Sequence, residues 1–209
     1  MIENKRPPIV ETVGAQHYCF ATKEEGSTEF TGEYEEKVIR TATVKSVKVS
    51  ENGESTPIYA SGDVYDTVDD VATHDIEVEV IAFDPTDLDR MRGETVTESG
   101  LVLTGNSPER TFFAYGKIVK LRGGNVRYEW YPRCKLIENS NEVSTREEKF
   151  SEQPESVTIR AFPFDGVHIK TKYESASKRL DWMTEDLFFS KPILTEADLL
   201  SLNPTEQGA

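Results

Sequence analysis

A mainly β fold, a β-sandwich of antiparallel strands with one short flanking helix, is what the sequence predicts, and three observations predict it. Several stretches alternate apolar and polar residues with a period of two. Glycine-centred turns separate the strongest of them, and only one internal stretch carries both a helix start and a helix stop. A length of 209 residues suits one domain with a real core. The sandwich is expected at 15–174, with a long loop at 50–73 inside it, an N-terminal arm at 1–14 and a C-terminal arm at 175–209.

In chain order, residues 1–14 carry Pro7-Pro8 and Gly14 without a hydrophobic period, so they read as an arm ordered only against a partner. Gln16 to Ala21 is strand-like, and the pattern is lost at Lys23-Glu24-Glu25-Gly26-Ser27. Residues 37–49 are β-branched, with a change of parity between Val44 and Val47 that predicts a bulge or twist. From Ser50 to Thr73 the chain is polar and turn-rich with scattered Ile58, Tyr59, Val64 and Tyr65, and it reads as a loop. Residues 74–83 recover a clean alternation, Ile76, Val78, Val80 and Ala82 against Asp75, Glu77 and Glu79, so one face is buried and the other acidic.

Asp84-Pro85 starts a helix predicted at 85–92: the carboxylate accepts first-turn N–H groups, and proline sits where no donor is needed. Leu88 and Met91 share its inner face, and Gly93 supplies a left-handed cap. Thr111 to Leu121 and Val126 to Leu136 flank Arg122-Gly123-Gly124-Asn125 and form a long hairpin. Its second strand places Val126, Tyr128, Trp130, Cys134 and Leu136 on one parity, which leaves Tyr131 on the other. A second hairpin is predicted from residues 156–164, the Asp165-Gly166 turn and residues 167–173. Beyond Ser175, Leu180, Met183, Leu187 and Phe188 have helix-like spacing, and Thr195-Glu196-Ala197-Asp198 resembles a capping box.

The charge balance, 38 acidic against 24 basic residues for a net −14, has the wrong sign for gripping a phosphate backbone. No stretch approaches the ~20 apolar residues of a membrane span, and Pro7, Pro8 and Glu11 interrupt any signal-peptide core, so a soluble protein is expected. Cys19 and Cys134 are too few for a disulfide scaffold and are expected to be reduced and buried, as in a cytosol.

Catalytic chemistry, cofactors and metals are not expected. His17, His74 and His168 are scattered, and His17 with Cys19 makes only two ligands. There is no nucleophile elbow, no basic context for a thiolate and no phosphate-cradling loop, since Gly123-Gly124 lies in a hairpin turn. Asp63, Asp66, Asp69, Asp70 and Asp75 lack the calcium-loop register and its closing Glu. Glu24-Glu25 and Glu147-Glu148 read as solvated loop charges.

From Ile76 to Phe164 the order is strand, short helix, polar segment, long hairpin, polar segment, strand. Within it stand Phe113-Ala114-Tyr115-Gly116, Tyr128-Glu129-Trp130-Tyr131-Pro132-Arg133-Cys134 and Thr145-Arg146-Glu147-Glu148-Lys149-Phe150. This order and these motifs resemble the major tail proteins of long non-contractile-tailed bacteriophages, in which an "ALGF"-like strand leads to a "RYxWLYK"-like strand and then to a polar stretch rich in Glu and Thr. The likeness spans about ninety residues, and the two ends match only in general character.

The resemblance implies a tail tube subunit: a β-sandwich with one flanking helix, closing into homohexameric rings that stack into the tube for genome delivery into the host. It implies a virion protein, present in the host cytoplasm during assembly. Its partners would be other copies of itself, a tape measure protein, a tail terminator, and a baseplate or distal tail protein; viral DNA would pass through without specific binding. In that family a long loop and terminal arms bridge subunits, parts that 50–73 (Ile58, Tyr59, Val64 and Tyr65), 1–14 and 175–209 would play here. Physically, an acidic bore repels DNA, with its charge every ~1.7 Å, and lets it slide, and exposed strand edges suit a head-to-tail ring. Asp75, Glu77 and Glu79 are the candidate lumen face, against the alternative that they face solvent or a neighbouring ring. The rival reading is a monomeric β-sandwich that binds carbohydrate on Trp130, Tyr128 and Tyr131, although parity puts Trp130 and Tyr128 in the core. A small hydrolase assembled from distant residues is a third.

Overall fold

Strands whose residues are β-branched and aromatic satisfy their backbone groups by pairing with one another, and pairing of this kind dominates the computed structural model. Residues 6–22, 29–53, 55–60, 63–69, 72–105, 109–140 and 154–204 are described. The strands are β1 (Val10–Phe20), β2 (Ile39–Thr41), β3 (Val44–Asn52), β4 (Ser55–Ala60), β5 (Asp63–Asp69), β6 (Thr73–Val80), β7 (Thr95–Val96), β8 (Val102–Leu103), β9 (Phe113–Leu121), β10 (Asn125–Ser140), β11 (Glu155–Phe162) and β12 (Thr171–Glu174). Three short helices join them: α1 (Pro85–Arg92), α2 (Glu185–Phe188) and α3 (Glu196–Leu200). The protein is thus mainly β, and every strand pair is antiparallel.

In place of a sandwich of separate sheets, one continuous sheet runs β2-β1-β9-β10-β11-β6-β3, with β12 also on β10. The reason lies in β10. One side of it pairs with β9, and the other takes β12 at Arg127–Trp130 and then β11 at Arg133–Ser140. The change of neighbour falls where the β9 register slips, between Tyr131 and Cys134, at Pro132, which has no N–H to give the ladder. A single strand therefore serves both halves of the sheet.

The slip also moves side chains to the other face. Tyr128 and Trp130 belong to one apolar cluster, and Tyr131, Cys134 and Leu136 belong to the other. The single parity expected along this strand is therefore corrected: Tyr131 is buried, not outside.

The first cluster fills the space between the halves, Tyr18, Phe20, Phe113 and Tyr115 meeting Ile76, Val78, Val80, Val157 and Ile159. Helix α1 closes it with Leu88 and Met91. As expected, Asp84 accepts from Thr86 N at 2.9 Å and Asp87 N at 3.2 Å. Gly93 ends the helix at φ 72°, and a Cβ there would lie 2.1 Å from the Glu109 carbonyl oxygen. Tyr18 Oη donates to Asp87 Oδ2 at 2.6 Å, and Arg90 lies over the Phe20 ring while pairing with Glu35. The helix is thus tied to the sheet by polar contacts as well as by burial, which contributes about 1.5–3 kcal/mol for each large apolar side chain.

The second cluster lies on the outer face of β1, β9 and β10, beneath residues 175–204. Phe188, Phe189, Ile193 and Leu202 cover Cys19, Ala114, Ile118, Tyr128 and Trp130. Trp130 Nε1 donates to the Phe188 carbonyl at 3.1 Å, and a Cβ on Gly116 would stand 2.7 Å from Phe189 Cε1. The C-terminal arm is thereby corrected: its described part packs on the chain's own sheet, because its aromatic residues have an apolar face to cover there. Thr195 and Asp198 do form the capping box.

Three further expectations are corrected. Residues 10–14 of the N-terminal arm belong to β1, paired with β9 from Val10↔Leu121 onward. The second hairpin does not form: β11 and β12 both pair with β10, so 163–170 is an excursion at the bulge, and Phe164 N donates to the His168 carbonyl at 2.9 Å across it. Ala82 is exposed and Phe83 buried, since β6 ends at Val80.

Candidate functional site

The segment 50–73 is a projecting ribbon and not a loop. β3 pairs with β6 from Val44↔Val80 to Asn52↔Thr73, and β4 and β5 carry that hairpin onward as a separate two-stranded sheet, from Ser55↔Asp69 to Ala60↔Asp63. A register shift between Ile58 and Tyr59 marks a bulge. Its turn-like composition includes Pro57, which an edge strand tolerates.

Ile58, Tyr59 and Tyr65 remain 45%, 66% and 79% exposed and enter neither apolar cluster. The Val64 side chain lies outside the described residues. A two-stranded ribbon alone is marginal in water, so an exposed aromatic pair on such an arm is a natural docking element. No period was visible in the sequence because neither face of the ribbon is buried against the body. The surviving signal was the recurrence of Ile, Val, Thr and Tyr between turn residues.

Asp75, Glu77 and Glu79 do share a face of β6, but they do not make a bare acidic stripe. Arg160 of β11 grips Asp75 through Nε at 2.6 Å and Nη2 at 2.9 Å, and Asn52 adds a donor at 2.6 Å. These donors hold the Asp75 carboxyl below its ordinary range, the Arg160 hydrogen bond first among the causes. Lys48 Nζ lies 3.1 Å from Glu77, and Lys45 Nζ 3.9 Å from Glu79. Each carboxylate faces a cation from a neighbouring strand, an arrangement the β6 sequence alone could not reveal.

The proposed sugar platform is also corrected. Tyr128, Trp130 and Tyr131 are all buried, so these rings offer no stacking surface. On the inner face Glu129 takes a hydrogen bond from Tyr131 Oη at 3.1 Å and pairs with Lys117 Nζ at 3.3 Å. That buried carboxylate is enclosed and compensated in a cross-strand pair, as a structural charge must be.

The thiols are poor nucleophiles. Burial pushes Cys19 up to about 11 and Cys134 higher still, and both are free. His17 is buried, stacked on Phe189 at 3.9 Å with planes 3° apart, and burial lowers it to about 4. It shares the outer-face region with Cys19, but no group of three metal-ligating side chains occurs among the described residues. His168 caps its own turn with Asp165, 2.6 Å away.

Asp63 and Asp66 are exposed on β5, whereas Asp70, the 145–150 motif, Glu24-Glu25, residues 1–5 and residues 205–209 lie outside the described residues. No described helix is long and apolar enough to cross a membrane. Compared with family models and with curated proteins, the sequence finds no match.

Proposed function

We propose that the chain is a self-assembling structural subunit, the major tail tube protein of a long non-contractile-tailed phage, and that it has no catalytic role. Its copies form hexameric rings that stack into the conduit for genome delivery. The tape measure protein, tail terminator and distal tail proteins act as partners, and DNA passes through without specific binding. The finer architecture proposed is the tail tube sandwich, with the bent sheet supplying its two layers.

One observation carries the reading: a β-ribbon, continuous with the β3–β6 hairpin, holds Ile58, Tyr59 and Tyr65 away from its own core. A monomer gains nothing from that arrangement, whereas a ring or stack buries those side chains. The motifs of β9 and β10, Phe113-Ala114-Tyr115-Gly116 and Tyr128 to Cys134, support it through their family likeness. The charge of −14 suits a conduit that does not trap DNA, although the Asp75, Glu77 and Glu79 face contributes little net charge to such a bore.

Negative-stain electron microscopy of concentrated purified protein tests the reading. Rings or tubes are expected, in the presence of the tail initiator complex if not alone. A particle that stays monomeric beside its initiator, or a measured turnover of a small molecule, would end it.

A further inference from the structure

The charges of this chain are segregated along it. Between Lys48 and Arg90 the sequence has twelve Asp and Glu and no Lys or Arg, whereas from Tyr115 to Leu136 six Lys and Arg stand against one Glu. In the fold, β4 and β5 bring Asp63, Asp66 and Asp69 and no cation to the projecting ribbon. The β9–β10 turn brings the opposite sign. Lys120, Arg122 and Lys178 are exposed there and make no ion pair among the described residues, while Arg127 is taken up by Glu174 and Arg179 by Asp181.

Next to this turn is a cleft of about 210 Å³ between Gly124 and Arg179, walled by Tyr128, Tyr173, Leu180 and Met183. The turn and the C-terminal segment are joined there by Ser175, whose N–H donates to the Val126 carbonyl at 3.0 Å and whose hydroxyl accepts from Val126 N at 2.9 Å. The cleft therefore has a fixed frame with apolar walls and a cationic rim. What it lacks on its own chain is an aromatic residue to fill it, and the ribbon carries two, Tyr59 and Tyr65, beside Asp63 and Asp66.

We propose that the acidic ribbon of one copy docks at the basic β9–β10 turn of a second copy, with an exposed tyrosine of the ribbon entering the cleft beside Gly124 and Arg179. This rests on the self-assembly reading and specifies its contact. The net charge of each copy opposes approach at long range, but within the ~10 Å over which salt lets charges act, local complementarity decides the contact. Salt therefore acts on both terms, and charge exchange is the cleaner probe.

The experiment compares wild type with Asp63→Lys/Asp66→Lys and with Lys120→Glu/Arg122→Glu, each checked for folding by circular dichroism. Sedimentation measures association. Each reversal is expected to weaken self-association roughly tenfold or more, and mixing the two variants to restore it. Tyr65→Cys mixed with Arg179→Cys, under oxidation, should give a disulfide-linked heterodimer that neither forms alone, since Cys19 and Cys134 are buried.

Unchanged association of both reversal variants, or failure of the mixture to recover, overturns the proposal; if tubes still form, the conduit reading survives it. Cross-linked ribbon-to-cleft pairs that never build rings or tubes reverse that outcome. Loss of binding to a labelled DNA duplex in Lys120→Glu/Arg122→Glu, with self-association intact, would assign the basic surface to nucleic acid and also overturn it.

Discussion

The sheet body and the β4–β5 ribbon are built from the same backbone pairing, yet they treat side chains in opposite ways. In the body both faces of the central strands are covered: β1 alternates Tyr18 and Phe20 into one cluster with Ala15 and Cys19 into the other. In the ribbon Ile58, Tyr59 and Tyr65 are left to solvent. Hydrogen-bonded pairing is thus compatible with either outcome, and the presence of a second covering layer decides between them. The body obtains that layer twice, once from its own bent half and once from residues 175–204. The ribbon obtains none from its own chain.

The largest effect is expected where the body's second layer is locked. Trp130→Ala removes a ring packed against Phe189 at 5.2 Å and a hydrogen bond to Phe188, and it should cost about 3–5 kcal/mol in a urea unfolding series. A loss below about 1 kcal/mol would mean that residues 175–204 are loosely attached, and the contrast between the two regions would weaken.

The next effect is a pH dependence of the same layer. His17 titrates at about 6.5 when unfolded and about 4 beneath Phe189, so the unfolded chain binds a proton first as the pH falls. Stability is therefore intact above about pH 6.5, is lost between about 6.5 and 4, and loses nothing more from this residue below that. The shift corresponds to roughly 3 kcal/mol. Thermal melts of wild type and His17→Gln at neutral and mildly acidic pH separate this contribution from that of the carboxylates. An equal acid loss in both proteins would remove His17 from the account.

The smallest effect on folding is expected in the ribbon. Tyr65→Ala should change unfolding stability by no more than about 0.5 kcal/mol while weakening self-association measured by sedimentation. A large loss of folding stability would show instead that the ribbon supports the body.

The legible parts of the fold were those whose signal is local. Helix α1 could be placed from Asp84-Pro85 and Gly93 because a cap is a contact between near neighbours in the chain, and the β9–β10 hairpin from its glycine turn. The ribbon was misread because strand periodicity is an imprint of one buried face, and neither face of β4 or β5 packs on the body. The acidic face of β6 was located correctly, but its compensation by Arg160, Lys48 and Lys45 comes from β11 and β3, which are neighbours only in the sheet.

The amino-acid order by itself established a β-rich domain, an excess of negative charge, one capped helix and one long hairpin, because each follows from composition or from contacts a few residues apart. Whether Tyr131 points inward, which strands flank β10, and where the C-terminal aromatics come to rest were settled only in three dimensions. A one-residue slip at Pro132 exchanges the faces of everything after it, and the covering of an apolar face depends on segments dozens of residues away.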